Sequence, residues 1–324
     1  MPKVSVIVPI YNAEKYIEKC VRSLFEQTLD DIEYIFVNDC TPDNSMQILK
    51  NIIEEYPHRK TRIKILNHVQ NQGQAGARTT GMKAMTGEFM IHCDPDDWID
   101  LDLYEKMYNK AISENADIVV CDIKWVHYNR IIYNKINIKY NNGNTLLKNY
   151  FRNSIGVSLV NKLIKSELII KYHIYPFVGI NAGEDLNVSL RVFFYSNKII
   201  KIEDTFYYYL QNPKSISHQK IDILFEKHYK PNVILLCDFL FITGGNDYKT
   251  ICNFIKYMEK RFFLGGKTPN VNKWLNLWPE CHKDILKFKI IPAKYRYIMR
   301  IGTIFPFLLH LYIKYITYRT YYNQ

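Results

Sequence analysis

Short apolar runs alternate with segments of helical periodicity along the first third of the chain. The apolar, partly β-branched runs predict strands at residues 4–9, 34–37, 63–66, 88–93 and 117–121. Between them, apolar residues recur every three or four positions, which predicts helices at residues 13–27, 43–55, 74–85 and 101–113. This alternation predicts an α/β domain with a mostly parallel, Rossmann-like sheet and helices on both faces.

The pattern loosens after residue 122. Hydrophobic stretches and polar turns are followed by helical spacing at residues 184–195 and by further predicted strands at residues 198–211. Beyond residue 220 the spacing is mainly helical. We therefore expect an α/β domain at residues 1–218 and a helical C-terminal region at residues 219–324.

Polar residues follow the ends of three predicted strands. Tyr11 and Asn12 follow the first strand, Asp39 follows the second, and the acidic stretch HCDPDDW, residues 92–98, ends the fourth. The carboxyl ends of parallel strands lie at one edge of a sheet, and ligands bind there at a reversal of strand order. These residues therefore predict one ligand-binding cleft.

Three acids crowd into four positions of HCDPDDW. Asp94 and Asp96, one residue apart in a loop past a strand, can direct two carboxylates at one hard divalent cation. Buried carboxylates need such neutralisation, so we expect Mg²⁺ or Mn²⁺ shared with a ligand diphosphate. The structural alternative is an acidic turn in which Asp97 caps a helix that begins near Ile99.

Charge and cysteine content restrict the partners and the compartment. The formal net charge of +11 and a pI near 9.1 favour an acidic partner, which is a nucleotide, a nucleic acid or an anionic lipid surface. The seven cysteines are scattered and contain no CxxC pair, which argues against a disulfide framework or structural zinc and favours a reducing cytoplasm. The apolar run at residues 4–9 is too short for a secretory signal or a membrane span.

The last forty residues differ in composition from the rest of the chain. Residues 285–324 contain no acid, seven Lys or Arg and ten aromatic residues. One interpretation is a helical cap that packs on the domain. The interpretation that we favour is an interfacial anchor on the inner face of the cell membrane, because anionic head groups attract cations and tyrosine suits the boundary. Residues 301–313 contain Pro306 and are too short to cross a bilayer.

Three segments carry a resemblance to a known family: SVIVPIYNAEKYI, then YIFVNDCTPD, then NQGQAGARTTGMKAMTGEFMIHCDPDDW. Their order and spacing resemble the family 2 glycosyltransferases of the GT-A fold, closely over residues 3–125 and more thinly to about residue 218. The resemblance implies an inverting enzyme that moves a sugar from a UDP-sugar donor to a glycan or lipid-linked acceptor, in bacterial surface polysaccharide biosynthesis. Nucleic acid is not an expected partner.

By position, the resemblance assigns the nucleotide base to residues after the first two strands. Pro9 and Tyr11 would flank the base, with Asn12 beside them, and Asp39 would accept the uracil N3–H. Cytosine has no hydrogen at that position, so a carboxylate there favours a uridine nucleotide. The structural alternative for Asp39 is a turn former in NDCTPDN.

The resemblance also implies roles for two later motifs. Asp94 and Asp96 match the family's DxD pair, which holds the metal on the donor diphosphate. Asn71, Gly73 and Arg78 match its NxGxxxAR segment, in which a helix N-terminus and an arginine face the nucleotide. The structural alternative for Arg78 is a charge on the helix surface.

Glycosyl transfer needs a base that takes the proton of the acceptor hydroxyl. Glu184 and Asp185 open a helical segment after Gly183, and this GED sequence resembles the family's ED motif. The resemblance implies that Asp185 is the base and that Glu184 supports it, whereas the structural alternative is a pair of acids that cap the helix dipole. Lys214 and His218, in a later loop, would contact the diphosphate or the metal.

Other classes of function fit these residues less well. A phosphatase of the haloacid dehalogenase type also uses a DxD motif, but normally after the first strand of its domain and not after the fourth. A Rossmann dehydrogenase would need GxGxxG after the first strand. A nucleic-acid binder would account for the charge alone. A catalytically silent sugar-nucleotide scaffold would lack an acid, whereas all the predicted acids are present (Asp39, Asp94, Asp96 and Asp185).

Overall fold

The computed structural model describes residues 1–152, 155–211, 221–265 and 268–321. The chain forms two compact units. The first comprises Met1–Leu146 and Ile155–His218, and the second comprises Leu147–Ser154 and Gln219–Gln324. The second unit therefore includes a short segment from the first half of the sequence.

Within the described residues, the first unit contains one sheet of nine strands. They are β1 (Val4–Ile10), β2 (Ile32–Asn38), β3 (Ile63–Asn67), β4 (Phe89–His92), β5 (Trp98–Ile99), β6 (Ile118–His127), β7 (Arg130–Asn134), β8 (Lys162–Lys165) and β9 (Ile199–Leu210). Their order is β3-β2-β1-β4-β8-β6-β9-β5, and β7 pairs with β6. The first strand thus lies inside the sheet, with later strands added on both sides.

The pairing is parallel where the sequence alternates most regularly. β1 is parallel to both β2 and β4, and β2 is parallel to β3. β8 is antiparallel to β4 and to β6, β5 is antiparallel to β9, and β9 is parallel to β6. The predicted Rossmann-like sheet is confirmed, and its later strands make the sheet as a whole mixed.

Helices cover both faces of this sheet, as predicted. They are α1 (Ile17–Phe25), α2 (Ser45–Glu55), α3 (Gly73–Ala84), α4 (Leu103–Ser113), α5 (Gly143–Lys148), α6 (Ser166–Lys171) and α7 (Glu184–Tyr195). Apolar residues of α1, α2 and α4 form a core with the strand face that carries Val6, Tyr34 and Ile91. α3 packs on the opposite face, where a Cβ at Gly81 would collide with Ile7. Glycine therefore allows α3 to approach β1 closely.

The pairing of β1 with β4 ends where the acidic loop begins. His92 lies opposite Ile7, and the N–H of Cys93 still donates to the Ile7 carbonyl at 3.0 Å. The next residue of β1 that faces β4 is Pro9, which has no N–H to continue the ladder. The ladder with β1 therefore ends here, and residues 94–97 lie in the loop between β4 and β5.

The second unit is helical in the residues that the structure describes. Its helices are α8 (Ile221–Leu224), α9 (Lys230–Gly244), α10 (Lys249–Lys260), α11 (Val271–Asn276), α12 (Ala293–Ile304) and α13 (Pro306–Tyr321). In its core, the ring of Tyr257 lies 6.1 Å from that of Trp274 and 5.4 Å from that of Phe288, centroid to centroid. The predicted helical C-terminal region is confirmed. None of the described helices combines the length and the apolar character that a membrane crossing requires.

Candidate active site

The acidic loop after β4 is held in place by β9. Asp94 and Asp96 are partly exposed, whereas Asp97 is buried. Tyr207 of β9 donates its O–H to Asp97 Oδ2 at 2.6 Å and accepts the Asp94 N–H at 3.1 Å. Asp97 Oδ1 accepts the Leu210 N–H at 2.7 Å. Asp97 therefore fastens the loop to β9 and does not cap a helix, and the residues directly after it form the strand β5.

Arg78 joins two acidic segments that lie far apart in the sequence. It belongs to α3 and is buried, with 2% of its side chain exposed. Its Nη2 donates to Asp94 Oδ1 at 2.9 Å. Its Nη1 donates to Glu184 Oε1 at 2.9 Å and also to Asp185 Oδ1. The loop after β4 and the start of α7 thus share one guanidinium, and Arg78 is not a charge on the helix surface.

Burial and charge act in opposite directions on this cluster. Burial alone would lower the pKa of Arg78, but the charges of Asp185, Asp94 and Glu184 outweigh it and raise the pKa above its usual value. Burial raises the pKa of Glu184 to about 7, although the charge of Arg78 opposes the shift. Burial also raises the pKa of Asp185, again against the effect of Arg78. The guanidinium therefore controls how much negative charge the cluster holds near neutral pH.

Two further buried groups belong to this region. In the part of the chain that the structure describes, Arg78 Nε and both ring nitrogens of His92 have no hydrogen-bond partner. Burial lowers the pKa of His92 well below its ordinary value, and the charge of Arg78 lowers it further. His92 is therefore neutral and adds no second positive charge to the cluster. Water or a ligand oxygen would satisfy the Arg78 Nε–H.

Asp39 holds the start of α3. Its Oδ1 accepts the Gln72 N–H and its Oδ2 accepts the Gly73 N–H, both at 2.8 Å. His68 Nδ1 lies 2.7 Å from Oδ1, and Asn71 Nδ2 donates to the Asp39 carbonyl oxygen at 3.2 Å. A carboxylate at this position satisfies free N–H groups and the positive end of the helix dipole. Asp39 therefore has a structural role in α3, and its predicted contact with uracil stays a prediction.

The remaining residues predicted for the nucleotide lie around the end of β1 or outside the described structure. Pro9 is buried within β1, and Tyr11, just past the strand, is 47% exposed. Asn12 is exposed and has a positive φ of 54°, a conformation that asparagine tolerates better than most residues. Lys214 and His218 lie outside the described residues.

Asp94 and Asp96 provide hard oxygen donors that fit a divalent cation. Arg78 and Gln74 both donate to Asp94 Oδ1, at 2.9 and 3.2 Å, and Asp94 Oδ2 accepts no hydrogen bond from the described residues. Those residues contain no group of three or more His, Cys, Asp or Glu that could hold a metal ion. A cation held by this pair would need water and ligand oxygens to complete its coordination, as Mg²⁺ and Mn²⁺ commonly do.

Three residues of the site were not predicted from the sequence. Tyr207 holds the acidic loop, Gln74 donates to Asp94, and His68 contacts Asp39. Tyr207 is one of three consecutive tyrosines in β9, and alternation along a strand places neighbouring side chains on opposite faces. The alternation places at least one of the three tyrosines on each face of the strand, but which of them meets the acidic loop depends on the register of β9.

Residues 5–171 match the sequence model described as glycosyl transferase family 2, and this match covers more than half of the chain. The chain belongs to glycosyl transferase family 2. The family predicted from the three sequence segments is thereby confirmed. The matched region contains the acidic loop and Arg78, whereas Glu184 and Asp185 lie beyond its end.

Two similar proteins come from Bacillus subtilis. The uncharacterized glycosyltransferase EpsJ is 32% identical over 223 residues, which are 67% of this chain and 63% of EpsJ. The putative glycosyltransferase EpsH is 32% identical over 231 residues, which are 69% of this chain and 65% of EpsH. The aligned part thus spans slightly less than two thirds of either relative.

Solved structures of glycosyltransferases share the fold at low sequence identity. S. aureus TarS 1–349 in complex with UDP has a TM-score of 0.65 and 19% identity, covering 94% of this chain and 89% of that chain. The mannosyltransferase PcManGT from Pyrobaculum calidifontis, in complex with GDP-Man and Mn²⁺, has a TM-score of 0.56 and 15% identity. The match covers 98% of this chain and 83% of that chain. At these identities the likeness concerns the fold alone, and it confirms the predicted GT-A fold.

Replacing Arg78 by Gln is expected to destabilise the protein most at high pH. Without the guanidinium, the pKa values of Glu184 and Asp185 rise further, so the folded chain binds more protons than the unfolded chain. The stability of the variant then increases as pH falls through these raised pKa values, of which that of Glu184 lies above the value of about 7 that it has beside Arg78. We expect R78Q to lower the free energy of unfolding by about 3 kcal/mol near pH 8 and by clearly less near pH 5, measured by chemical denaturation.

The matched control is R22Q, which removes a partly exposed guanidinium that pairs with Glu18 and Glu55. It should change stability by less than about 1 kcal/mol at either pH. R78K keeps a positive charge and should lose less stability than R78Q. A loss of stability in R78Q that does not change with pH would contradict the role of Arg78 in balancing the carboxylates.

Proposed function

We propose that this chain is an inverting glycosyltransferase that moves a sugar from a UDP-sugar to a hydroxyl group of a glycan or lipid-linked acceptor. The observation that carries the proposal is the shared guanidinium of Arg78, which bonds both Asp94 and Asp185. A donor diphosphate at the first carboxylate and an acceptor hydroxyl at the second would therefore meet in one place. Membership of the family supports a transferase reaction.

Asp185 is the proposed general base. Its side chain is 27% exposed, compared with 7% for Glu184, so Asp185 is the carboxylate that an acceptor can reach. Burial raises the pKa of Asp185, which makes it a better proton acceptor, while the charge of Arg78 opposes the shift and favours the ionised form that a base needs. Glu184 supports this role by sharing the same guanidinium.

The proposed chemistry is a displacement in one step. Asp185 takes the proton of the acceptor hydroxyl while the acceptor oxygen attacks the anomeric carbon of the donor. The bond between that carbon and the UDP oxygen breaks as the new bond forms, and UDP leaves with the electron pair. Because the attack comes from the face opposite UDP, an α-linked donor gives a β-glycoside.

Asp94 and Asp96 are the proposed ligands of Mg²⁺ or Mn²⁺ on the donor diphosphate. Such a cation would offset negative charge on the departing UDP. Arg78 and Gln74 bond one oxygen of Asp94 and leave the other for coordination. The complex of PcManGT with Mn²⁺ agrees with a divalent cation in an enzyme of this fold.

We assign the nucleotide base to the residues after β1 and β2. Asp39 Oδ2 accepts one N–H, from Gly73, and a carboxylate oxygen has capacity for a second donor such as uracil N3–H. Tyr11 is exposed just past β1 and is available to stack on the ring of the base. Pro9 and Asn12 are the other proposed neighbours of the base. Solved structures of TarS hold UDP and UDP-GlcNAc, which supports a uridine nucleotide.

The proposed acceptor belongs to a bacterial surface polysaccharide assembled on the cytoplasmic side of the membrane. A further relative, from Bacillus spizizenii, is named poly(ribitol-phosphate) beta-glucosyltransferase, which supports a polymeric acceptor. The decisive first experiment is a screen of UDP-sugars for metal-dependent release of UDP. Slow hydrolysis of the correct donor would identify the sugar before the acceptor is known.

Asp96→Asn should remove most of the metal dependence of UDP binding. We expect the wild-type protein to bind UDP more tightly with Mn²⁺ than with EDTA in calorimetric titration. Loss of one of two carboxylate ligands should weaken the affinity in Mn²⁺ by at least about ten-fold. The control is D100N, because Asp100 directly follows β5 and its carboxylate accepts the Phe206 N–H at 2.9 Å. Equal metal dependence in D96N and wild type would end the assignment.

Asp185→Asn should bind the donor normally and lose transfer. An amide of the same shape keeps the packing but cannot take a proton, so we expect the rate to fall by about 10²–10⁴ with little change in donor affinity. The control is E105Q, which changes an acid in the first turn of α4 and tests the effect of a helix-start charge. Transfer by D185N at a near wild-type rate would mean that the base is another residue.

Tyr207→Phe should weaken metal-dependent UDP binding, although it changes neither of the proposed metal-binding aspartates. The variant loses the hydroxyl that bonds Asp97 and the Asp94 N–H, so the loop is no longer held in one orientation. We expect about a ten-fold loss of affinity in Mn²⁺. Y34F is the control, since Tyr34 also donates a buried O–H, to the Leu24 carbonyl at 2.7 Å. If both variants lose stability but neither loses affinity, Tyr207 does not position the acidic loop.

A further inference from the structure

The tail, defined as residues 285–324 and described to residue 321, contains the helices α12 and α13. The two helices contact each other and are separated by Phe305 alone. A Cβ at Gly302 would lie 2.7 Å from Leu309 Cβ, so glycine allows the helices to approach closely here. We call residues 304–308 the turn of the tail; they comprise the last residue of α12, Phe305 and the first three residues of α13.

Large apolar side chains are exposed at this turn. Ile304, Phe305, Phe307 and Leu308 are each between 49% and 70% exposed. The exposed surface continues at helical spacing along both helices, at Tyr297, Ile301, Leu311, Tyr315 and Tyr318. Apolar residues exposed in a contiguous group, and not singly, mark a surface that binds a partner.

The cations of the tail have almost no acidic partners in the part of the chain that the structure describes. Lys287 pairs at 2.7 Å with Asp284, which directly precedes the tail. Among the described residues, no carboxylate pairs with the other six cations, which are Lys289, Lys294, Arg296, Arg300, Lys314 and Arg319. Five of these six cations, all except Lys289, thus lie on the two helices that carry the exposed apolar residues.

An open, mostly apolar groove of about 450 Å³ adjoins α13. It is lined by Val271 of α11 and by residues of α13, which are His310, Leu311, Ile313, Lys314, Thr317 and Tyr318. The apolar surface of the tail therefore continues along α13, beside the exposed ammonium group of Lys314.

We propose that the tail docks the protein on an anionic lipid surface, with the turn inserted at the head-group boundary. Lipid phosphates attract the unpaired cations, and the apolar residues of the turn are removed from water among the acyl chains. The tyrosines along α12 and α13 suit the level of the head groups. The contact is peripheral, because neither helix has the length and apolar character to cross a bilayer. The inference does not depend on the proposed reaction.

Two other partners agree less well with this surface. A second copy of the chain, related by a two-fold axis, would bring two acid-free positive surfaces together, and their like charges would repel. A nucleic acid would satisfy the charges but would leave aliphatic residues such as Ile304 and Leu308 in water. An anionic lipid surface satisfies both the charges and the apolar residues.

Vesicle flotation of the full-length protein tests the proposal. We expect the protein to float with vesicles of phosphatidylcholine and phosphatidylglycerol in equal parts. With vesicles of neutral phosphatidylcholine alone it should stay at the bottom of the gradient. High salt should weaken its binding to the anionic vesicles. The triple variant K294Q/K314Q/R319Q should lose affinity by the order of 100-fold, which is about five-fold for each charge removed. A matched triple variant, K50Q/K227Q/K249Q, removes exposed lysines outside the tail and should bind far more tightly than the tail variant.

The apolar half of the surface is tested with F307E. A carboxylate at the turn would have to enter the head-group boundary, so we expect flotation to be lost while the thermal unfolding midpoint is unchanged. I242E is the control, because Ile242 in α9 is 83% exposed and lies outside the tail. It should float like the wild-type protein.

Three results would overturn the proposal. The first is a wild-type protein that does not prefer anionic vesicles, and the second is unchanged flotation of F307E. The third is a concentration-dependent dimer in analytical ultracentrifugation that F307E dissociates while vesicle binding stays absent, which would assign the surface to a second copy of the chain.

Discussion

The candidate site depends on the buried guanidinium of Arg78. Asp94, Glu184 and Asp185 carry like charges, and burial makes their repulsion costly unless a cation lies among them. Arg78 bonds all three, although Glu184 and Asp185 lie more than a hundred residues beyond it. The acidic loop after β4 and the start of α7 are therefore fixed relative to each other by one side chain of α3. The contacts of Arg78 therefore set the distance between the proposed donor and acceptor positions.

The sequence predicts the parallel part of the sheet well because buried parallel strands are continuous apolar runs. All four strands from β1 to β4 lie within a few residues of their predicted positions. β5 has two residues, and β8 has four, of which only Leu163 and Ile164 are apolar, so neither forms a continuous apolar run. Their places depend on antiparallel pairing with β9, β4 and β6, which are distant in the sequence. Local patterning therefore cannot show that the sheet becomes mixed.

The acids of the site were predictable because residue type and position at a strand end already indicate their chemistry. The hydrogen-bond partners of these acids were not predictable. They depend on which helix start lies opposite each acid and on the register of the neighbouring strand. Asp39 illustrates the difference, since its bonds to the Gln72 and Gly73 N–H groups require the start of α3 to lie over the end of β2. Asp97 illustrates it as well, because its contact with Tyr207 depends on the register of β9. The roles of Asp39 toward uracil and of Asp185 as a base remain proposals.

Pro9 sets the point at which the carboxyl end of β1 separates from β4. An ordinary residue at this position would offer an N–H toward the Cys93 carbonyl, and the ladder between the two strands could continue by one more bond. Proline cannot make that bond, because its nitrogen carries a ring carbon in the place of the hydrogen atom. The departure of the acidic loop from its neighbouring strand therefore depends on a residue that lies more than eighty positions earlier in the chain.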